Sequence, residues 1–248
     1  MPQLSPSSLA ELDVALLQIA ITLGATLYSG VLYRRYRKPY FLWFAVAWFL
    51  YVLRLGAIVA FLLTTRWSWL YWHQVVTGWT ALALLWAALV FSRQLAFRPQ
   101  YLVALLFPLG WSFVAIYLLD RFLFAALPAV LFLSAVTAWT GWIFYDFWRR
   151  VRAPGAAVLA AALFLWALHH LDYPFLRARG AWAPWGYYLD IAFLLATAMG
   201  LTILVLDDLN RGIRGLASLA TGGWGRRTDE VVNALVGRAG ALPAARGA

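Results

Sequence analysis

Two adjacent histidines and an aspartate, His169, His170 and Asp172, stand near the end of an apolar stretch. Imidazole and carboxylate groups can exchange protons near neutral pH, because histidine titrates at about pH 6.5. They can also bind a divalent metal. Polar groups in or beside a lipid bilayer are costly unless they are paired, hydrated or functional. This short run is therefore the first candidate for a functional site.

The composition is that of a membrane protein. Of the 248 residues, 64% are hydrophobic and 12% are charged, whereas soluble domains carry about 25% charged residues. The net charge is +10, and most arginines lie in short loops between apolar stretches, which favours anionic lipid over nucleic acid as a partner. The chain has no cysteine, so disulfides, thiolate metal sites and cysteine nucleophiles are excluded.

Seven apolar stretches approach the length of about 20 residues that a spanning helix needs. They are residues 12–33, 40–63, 69–91, 101–119, 122–145, 156–171 and 185–206. We therefore expect an all-α fold, a polytopic membrane bundle of seven transmembrane helices, in which Pro174 ends the sixth. Residues 1–8 lack the basic start of a signal peptide, so we expect the first stretch to be retained.

The orientation follows from the lysines and arginines of the loops. The first, third and fifth loops carry nine (Arg34, Arg35, Arg37, Lys38, Arg93, Arg98, Arg149, Arg150 and Arg152), and the other three loops carry four (Arg66, Arg121, Arg177 and Arg179). Cytoplasmic loops carry the excess. The prediction is an extracytoplasmic N-terminus and a cytoplasmic C-terminus.

This topology brings polar residues from separate spans to one height. Arg54 and His169 both lie about 20 Å from the inner end of their spans, at 1.5 Å per residue. His73 and Asp190 lie near the outer starts of the third and seventh spans. The predicted sensing residues, all in one outer layer, are Arg54, His73, His169, His170, Asp172 and Asp190.

Two interpretations of this layer stay open. The structural one is an ion pair of Arg54 with Asp172 or Asp190, with histidines in the headgroup zone. The functional one is an outward-facing pocket in which a ligand, an ion or a proton changes helix packing. His169 and Asp172 share a helix face, because they are three residues apart, and His170 points elsewhere. Whether a metal binds here is left unknown.

The segment after the seventh span carries a second pattern. Leu206, Leu209, Ile213 and Leu216 recur at spacings of 3, 4 and 3, which is typical of a seam between paired helices. We predict a juxtamembrane helix that pairs with its copy in a homodimer; an amphipathic segment on the headgroups is the alternative. Residues 221–225 predict a linker. A short helix from Thr228 has an apolar face without a partner, which predicts truncation.

The chain resembles the N-terminal seven-span sensor region of bacterial multidomain signalling proteins, of the sensor histidine kinase and diguanylate cyclase type. The resemblance rests on residues 47–54 (AWFLYVLR), 169–176 (HHLDYPFL) and 183–187 (APWGY) with Asp190 after them. Residues 228–248 are similar to the opening of a GAF domain. The resemblance places the chain in the bacterial cytoplasmic membrane. Together with the patterns above, it predicts a short extracytoplasmic N-terminus (1–11), a seven-helix transmembrane sensor domain (12–206), a juxtamembrane signalling helix (207–220) and a linker with a truncated GAF-like start (221–248).

Other functions stay open as alternatives. A haem b could be held between His73 and either His169 or His170, since an axial histidine is a haem ligand. A small transporter is the other alternative, although the charged residues do not line a path through the midplane. A retinal pump is excluded, because the only lysine, Lys38, lies in a loop. No phosphate loop, serine elbow or zinc-protease histidine pair is present, so no catalytic residue is predicted.

Overall fold

The computed structural model of the chain describes residues 6–93, 102–119, 121–178 and 185–239. Within these ranges the chain forms seven α-helices and no β-strand. The helices are α1 (Pro6–Tyr36), α2 (Pro39–Thr64), α3 (Trp67–Arg93), α4 (Leu102–Tyr117), α5 (Phe122–Val151), α6 (Pro154–Ala178) and α7 (Trp185–Ala239). The predicted all-α class is confirmed.

Six of the described helices are long and apolar enough to cross a membrane, as in a multi-pass membrane protein. The exception is α4, which has 16 residues. Its length is about 24 Å at 1.5 Å per residue, less than the bilayer hydrocarbon core of about 30 Å. The predicted count of seven spans and the predicted sides of the two termini therefore stay predictions.

Short turns without glycine join several of these helices. Arg37, Thr65 and Arg152 have positive φ values of 54°, 55° and 57°. Each donates its backbone N–H to the carbonyl four residues earlier, at 2.7–2.8 Å, which closes the preceding helix. Pro39 and Pro154 then open α2 and α6, because proline is favoured in the first helical turn. The turns at Arg37 and Arg152 place α1 beside α2 and α5 beside α6.

The core of the first compact unit, Met1–Ile203, is built around one face of α2. Its buried side chains recur every three or four residues and each is at most 2% exposed: Phe41, Phe44, Trp48, Tyr51 and Leu55. Such spacing places them on a single helix face. Aromatic rings from other helices pack against them, so α2 is the element around which the functional site is assembled.

A glycine allows α6 and α7 to approach closely. A Cβ atom at Gly200 would lie 2.8 Å from Leu159 Cγ and 3.1 Å from the Leu159 backbone nitrogen. Small residues at helix crossings are typical of membrane bundles, because they let two backbones come together. This contact holds the membrane part of α7 against α6.

Two predicted helix boundaries differ from the structure. α6 continues past Pro174 to Ala178, so the prediction that Pro174 ends the helix is wrong. A proline removes one backbone donor, and a helix in a membrane bundle tolerates that loss. α7 likewise runs through residues 221–225 without a break, because each glycine lowers helix stability by only about 1 kcal/mol relative to alanine. The predicted domain division in this region is not tested by the helix alone.

The second compact unit is Leu204–Ala248. The side chains of the predicted seam, Leu206, Leu209, Ile213 and Leu216, are 54%, 42%, 65% and 70% exposed. Asp207 and Arg211 form an ion pair at 2.7 Å along the helix. The four apolar side chains therefore form an exposed stripe along this part of α7.

Candidate functional site

Asp190 is the centre of a buried polar network. Its Oδ2 atom accepts a hydrogen bond from the Tyr51 hydroxyl at 2.8 Å, and its Oδ1 atom accepts one from Trp166 Nε1 at 2.7 Å. The Arg54 guanidinium lies 3.8 Å from Oδ2. The Asp190 side chain is only 10% exposed, so these three groups replace the hydration that a carboxylate requires.

The network extends to a fourth helix through Gln18. Gln18 Nε2 donates a hydrogen bond of 2.8 Å to the Tyr51 hydroxyl oxygen, and that hydroxyl in turn donates its proton to Asp190. Both Gln18 and Tyr51 are at most 2% exposed. One continuous chain of hydrogen bonds thus joins α1, α2, α7 and α6.

Arg54 is held on the same face of α2 as Tyr51, one turn away. Its guanidinium carbon lies 4.6 Å from the centre of the Tyr51 ring, a cation–π contact. The Arg54 side chain is 15% exposed, and its Nε atom has no hydrogen-bond partner among the described residues. Asp190 therefore offsets the charge of Arg54 without occupying its N–H groups.

His73 joins Arg54 through the backbone. Its Nδ1 atom lies 3.1 Å from the Arg54 carbonyl oxygen. A carbonyl oxygen only accepts, so this contact requires the tautomer in which Nδ1 carries the proton. The first part of α3 is thereby linked to the turn of α2 that carries Arg54.

The two tandem histidines have different environments. His169 Nδ1 lies 2.9 Å from Asp172 Oδ2, as expected for residues three apart on one helix. The His170 ring lies 5.9 Å from the Trp166 ring and borders the same cavity as Arg54. His170, which the sequence placed on a different helix face from His169 and Asp172, is therefore the tandem histidine that reaches the Arg54 region.

A cavity lies beside this network between α2, α3, α5 and α6. Its volume is about 20 Å³, within about 290 Å³ of empty space that includes the open surroundings. Its lining residues are Tyr51, Arg54, Thr77, Thr80, Ala81, Leu84, Leu133, Thr137, Trp166 and His170. The space accommodates about one water molecule or a ligand of a few atoms.

The predicted site residues thus fall into two groups. Arg54, Asp190 and His73 are linked directly, and His170 shares a cavity with Arg54. His169 and Asp172 form a separate pair, and His169 touches α7 through the Phe193 ring at 5.9 Å. Of the two carboxylates predicted as partners of Arg54, the structure places Asp190 nearest.

Sequence reasoning missed three members of the network: Gln18, Tyr51 and Trp166. A signal for Tyr51 was present, because it precedes Arg54 by three residues and so shares its helix face. Trp166 precedes His169 and His170 within the same turn of α6. Neither tyrosine nor tryptophan stood out in a chain with 12 and 15 of them.

The described residues include no cluster of side chains suited to a metal ion. No group of three or more His, Asp or Glu side chains is placed to hold a metal ion within residues 6–93, 102–119, 121–178 and 185–239. The haem alternative stays a prediction: His170 lines the cavity described above, and His73 does not.

Comparison with known proteins identifies no relative: no family model, curated protein or solved structure matches the chain. Its function must therefore be argued from the site. What the site contains is a buried, charged network across four helices, next to a small polar cavity in a bundle of membrane-type helices.

Proposed function

We propose that this chain is the membrane-embedded sensory input region of a bacterial signalling protein of the histidine kinase or diguanylate cyclase type, in the cytoplasmic membrane and without catalysis of its own. In this proposal α4 also enters the membrane, which makes seven spans, and the N-terminus is extracytoplasmic. A signal acts at the end of the bundle that holds Arg54 and Asp190. The response leaves through α7 toward the cytoplasm in a homodimer.

The observation that carries the proposal is the bonding of Asp190 to two other helices. Asp190 belongs to α7, and its carboxylate holds Tyr51 of α2 and Trp166 of α6 by hydrogen bonds of 2.8 and 2.7 Å. A buried ion pair contributes little net stability relative to apolar packing. Its presence is better explained by a function that depends on where α7 stands relative to its neighbours.

The second support is the apolar stripe carried further along α7. Leu206, Leu209, Ile213 and Leu216 are exposed, with values of 42% to 70%, at the spacing of a two-helix seam. A second copy of this chain would cover the stripe. A stimulus that favours one arrangement of the Asp190 network would then favour one arrangement of the paired α7 helices.

The proposal is tested by fusing the chain to a cytoplasmic reporter kinase domain and measuring its phosphorylation in cells. Arg54→Ala and His169→Ala are expected to shift the reporter output, because each removes a group that links the site to α6 or α7. Arg66→Ala, which removes an exposed charge between α2 and α3, is the matched control and should leave output unchanged. Unchanged output for both site variants, with normal insertion into the membrane, would contradict the proposal.

A further inference from the structure

The residues that line the cavity beside Arg54 include one cationic side chain and no carboxylate. None of its ten lining residues is Asp or Glu, and the one full charge that borders it is that of Arg54. Asp190 is not among the lining residues, and both of its oxygens already accept hydrogen bonds. The cavity wall therefore carries a guanidinium and no carboxylate.

Three kinds of donor group on the cavity wall are not used by the protein. Arg54 Nε has no partner among the described residues, and the guanidinium approaches Asp190 no closer than 3.8 Å. The Thr137 hydroxyl and the His170 ring form no hydrogen bond with other described residues. A buried donor without an acceptor costs about 1–3 kcal/mol, so an acceptor from outside the chain would stabilise the site.

Two further hydroxyl groups on the cavity wall use their protons within α3. Thr77 and Thr80 donate to the carbonyl groups of His73 and Val76 on their own helix. Ala81, Leu84 and Leu133 add apolar side chains to the lining. A ligand that fits would thus have a head that accepts hydrogen bonds and a very short apolar remainder.

We propose that this cavity binds a small planar monovalent oxyanion, such as a short-chain carboxylate, with its oxygens on Arg54 and Thr137 and its apolar part against Leu84 and Leu133. The planar guanidinium matches a planar oxyanion through paired N–H groups. The limited space restricts the ligand to a few non-hydrogen atoms. The inference rests on the proposed function, in that it names the ligand class that the sensor would detect.

The test is acetate binding to the purified full chain in lipid nanodiscs at pH 7.5, by isothermal titration calorimetry in a constant background of sodium gluconate. Arg54→Gln is expected to weaken acetate binding by about ten-fold or more, because a charge-assisted hydrogen bond is lost. Arg66→Gln removes an equal charge outside the cavity and should bind acetate like the wild type. Equal acetate affinity in Arg54→Gln and wild type would overturn the proposal.

A second variant covers the case in which Arg54→Gln fails to fold. Thr137→Val keeps the shape of the side chain and removes a hydroxyl that bonds to no other described residue, so the thermal stability of the ligand-free chain should not change. Its acetate affinity should fall by about five-fold, the equivalent of one neutral hydrogen bond. Unchanged affinity in this variant would contradict the placement of the ligand.

A comparison with chloride tests whether the cavity selects an oxyanion over other anions. The planar fit predicts that sodium acetate and sodium formate raise the melting temperature of the wild type above the value in sodium chloride at equal ionic strength. Equal stabilisation by chloride would overturn the oxyanion assignment. Acetate binding together with an unresponsive reporter fusion would leave this ligand class standing and reject the sensory role alone.

Discussion

The Tyr51 hydroxyl donates a hydrogen bond of 2.8 Å to Asp190 Oδ2 and thereby ties α2 to α7 across the bundle. The same hydroxyl accepts a hydrogen bond from Gln18 of α1. Tyr51 is 2% exposed, so water cannot replace either bond. A single phenol therefore connects three helices at the height of the candidate site.

Replacing Tyr51 by phenylalanine should destabilise the bundle without changing its core volume. Tyr51→Phe leaves Gln18 Nε2 and one Asp190 oxygen without their partner, which should lower the free energy of unfolding by about 1–3 kcal/mol. Unfolding in sodium dodecyl sulfate, followed by circular dichroism, measures this change. Tyr188→Phe, at a side chain 47% exposed, is the control, and equal losses in the two variants would contradict the network.

The pair formed by Arg54 and Asp190 should behave as one energetic unit. Asp190→Asn removes the charge that offsets Arg54 and should cost about 3–5 kcal/mol of stability, because an uncompensated buried charge remains. In the double variant with Arg54→Gln the loss should be smaller than the sum of the two single losses. Asp207→Asn, in a partly exposed ion pair, should cost less than about 1 kcal/mol; additive losses at Arg54 and Asp190 would show that they do not interact.

The close contact of α6 with α7 predicts opposite effects of alanine at two glycines. Gly200→Ala places a Cβ 2.8 Å from Leu159 Cγ and 3.1 Å from its backbone nitrogen, so it should lower the melting temperature by several degrees. At Gly56 a Cβ meets nothing within 4 Å, so Gly56→Ala should be neutral or stabilising by up to about 1 kcal/mol. A Gly200→Ala variant as stable as Gly56→Ala would contradict the tight crossing.

The proposed orientation predicts which engineered cysteines are reached from outside. The chain has no cysteine of its own, so a single introduced cysteine is the one thiol of the chain that the reagent can label. A membrane-impermeant maleimide should label Arg66→Cys in intact spheroplasts and should label Arg150→Cys only after permeabilisation, because Arg150 belongs to the arginine-rich side. The reverse labelling pattern would invert the topology and place the Arg54 region in the cytoplasmic half.

The helical architecture was accessible from the sequence because apolar runs of about 20 residues have few alternatives in a chain this poor in charge. The approach of Arg54 to a carboxylate was also predictable, since an intramembrane arginine needs one. The sequence did not predict that the partner of Arg54 is Asp190 and not Asp172, because this depends on how α7 packs against α2. Tyr51 and Trp166 were hidden among many aromatic residues that serve lipid contact. The predictions at Pro174 and at residues 221–225 differ from the structure, because proline and glycine weaken a helix locally without ending α6 or α7 there.

The central claim is that the Asp190 network controls how α7 pairs with its copy. Disulfide cross-linking of Ile213→Cys in cell membranes measures that pairing directly, with Arg211→Cys on the opposite helix face as the control position. We predict that Ile213→Cys forms dimers faster than Arg211→Cys and that adding Asp190→Asn changes the Ile213→Cys rate several-fold while the protein stays in the membrane. An identical rate with and without Asp190→Asn, or equal rates at the two positions, would contradict the account.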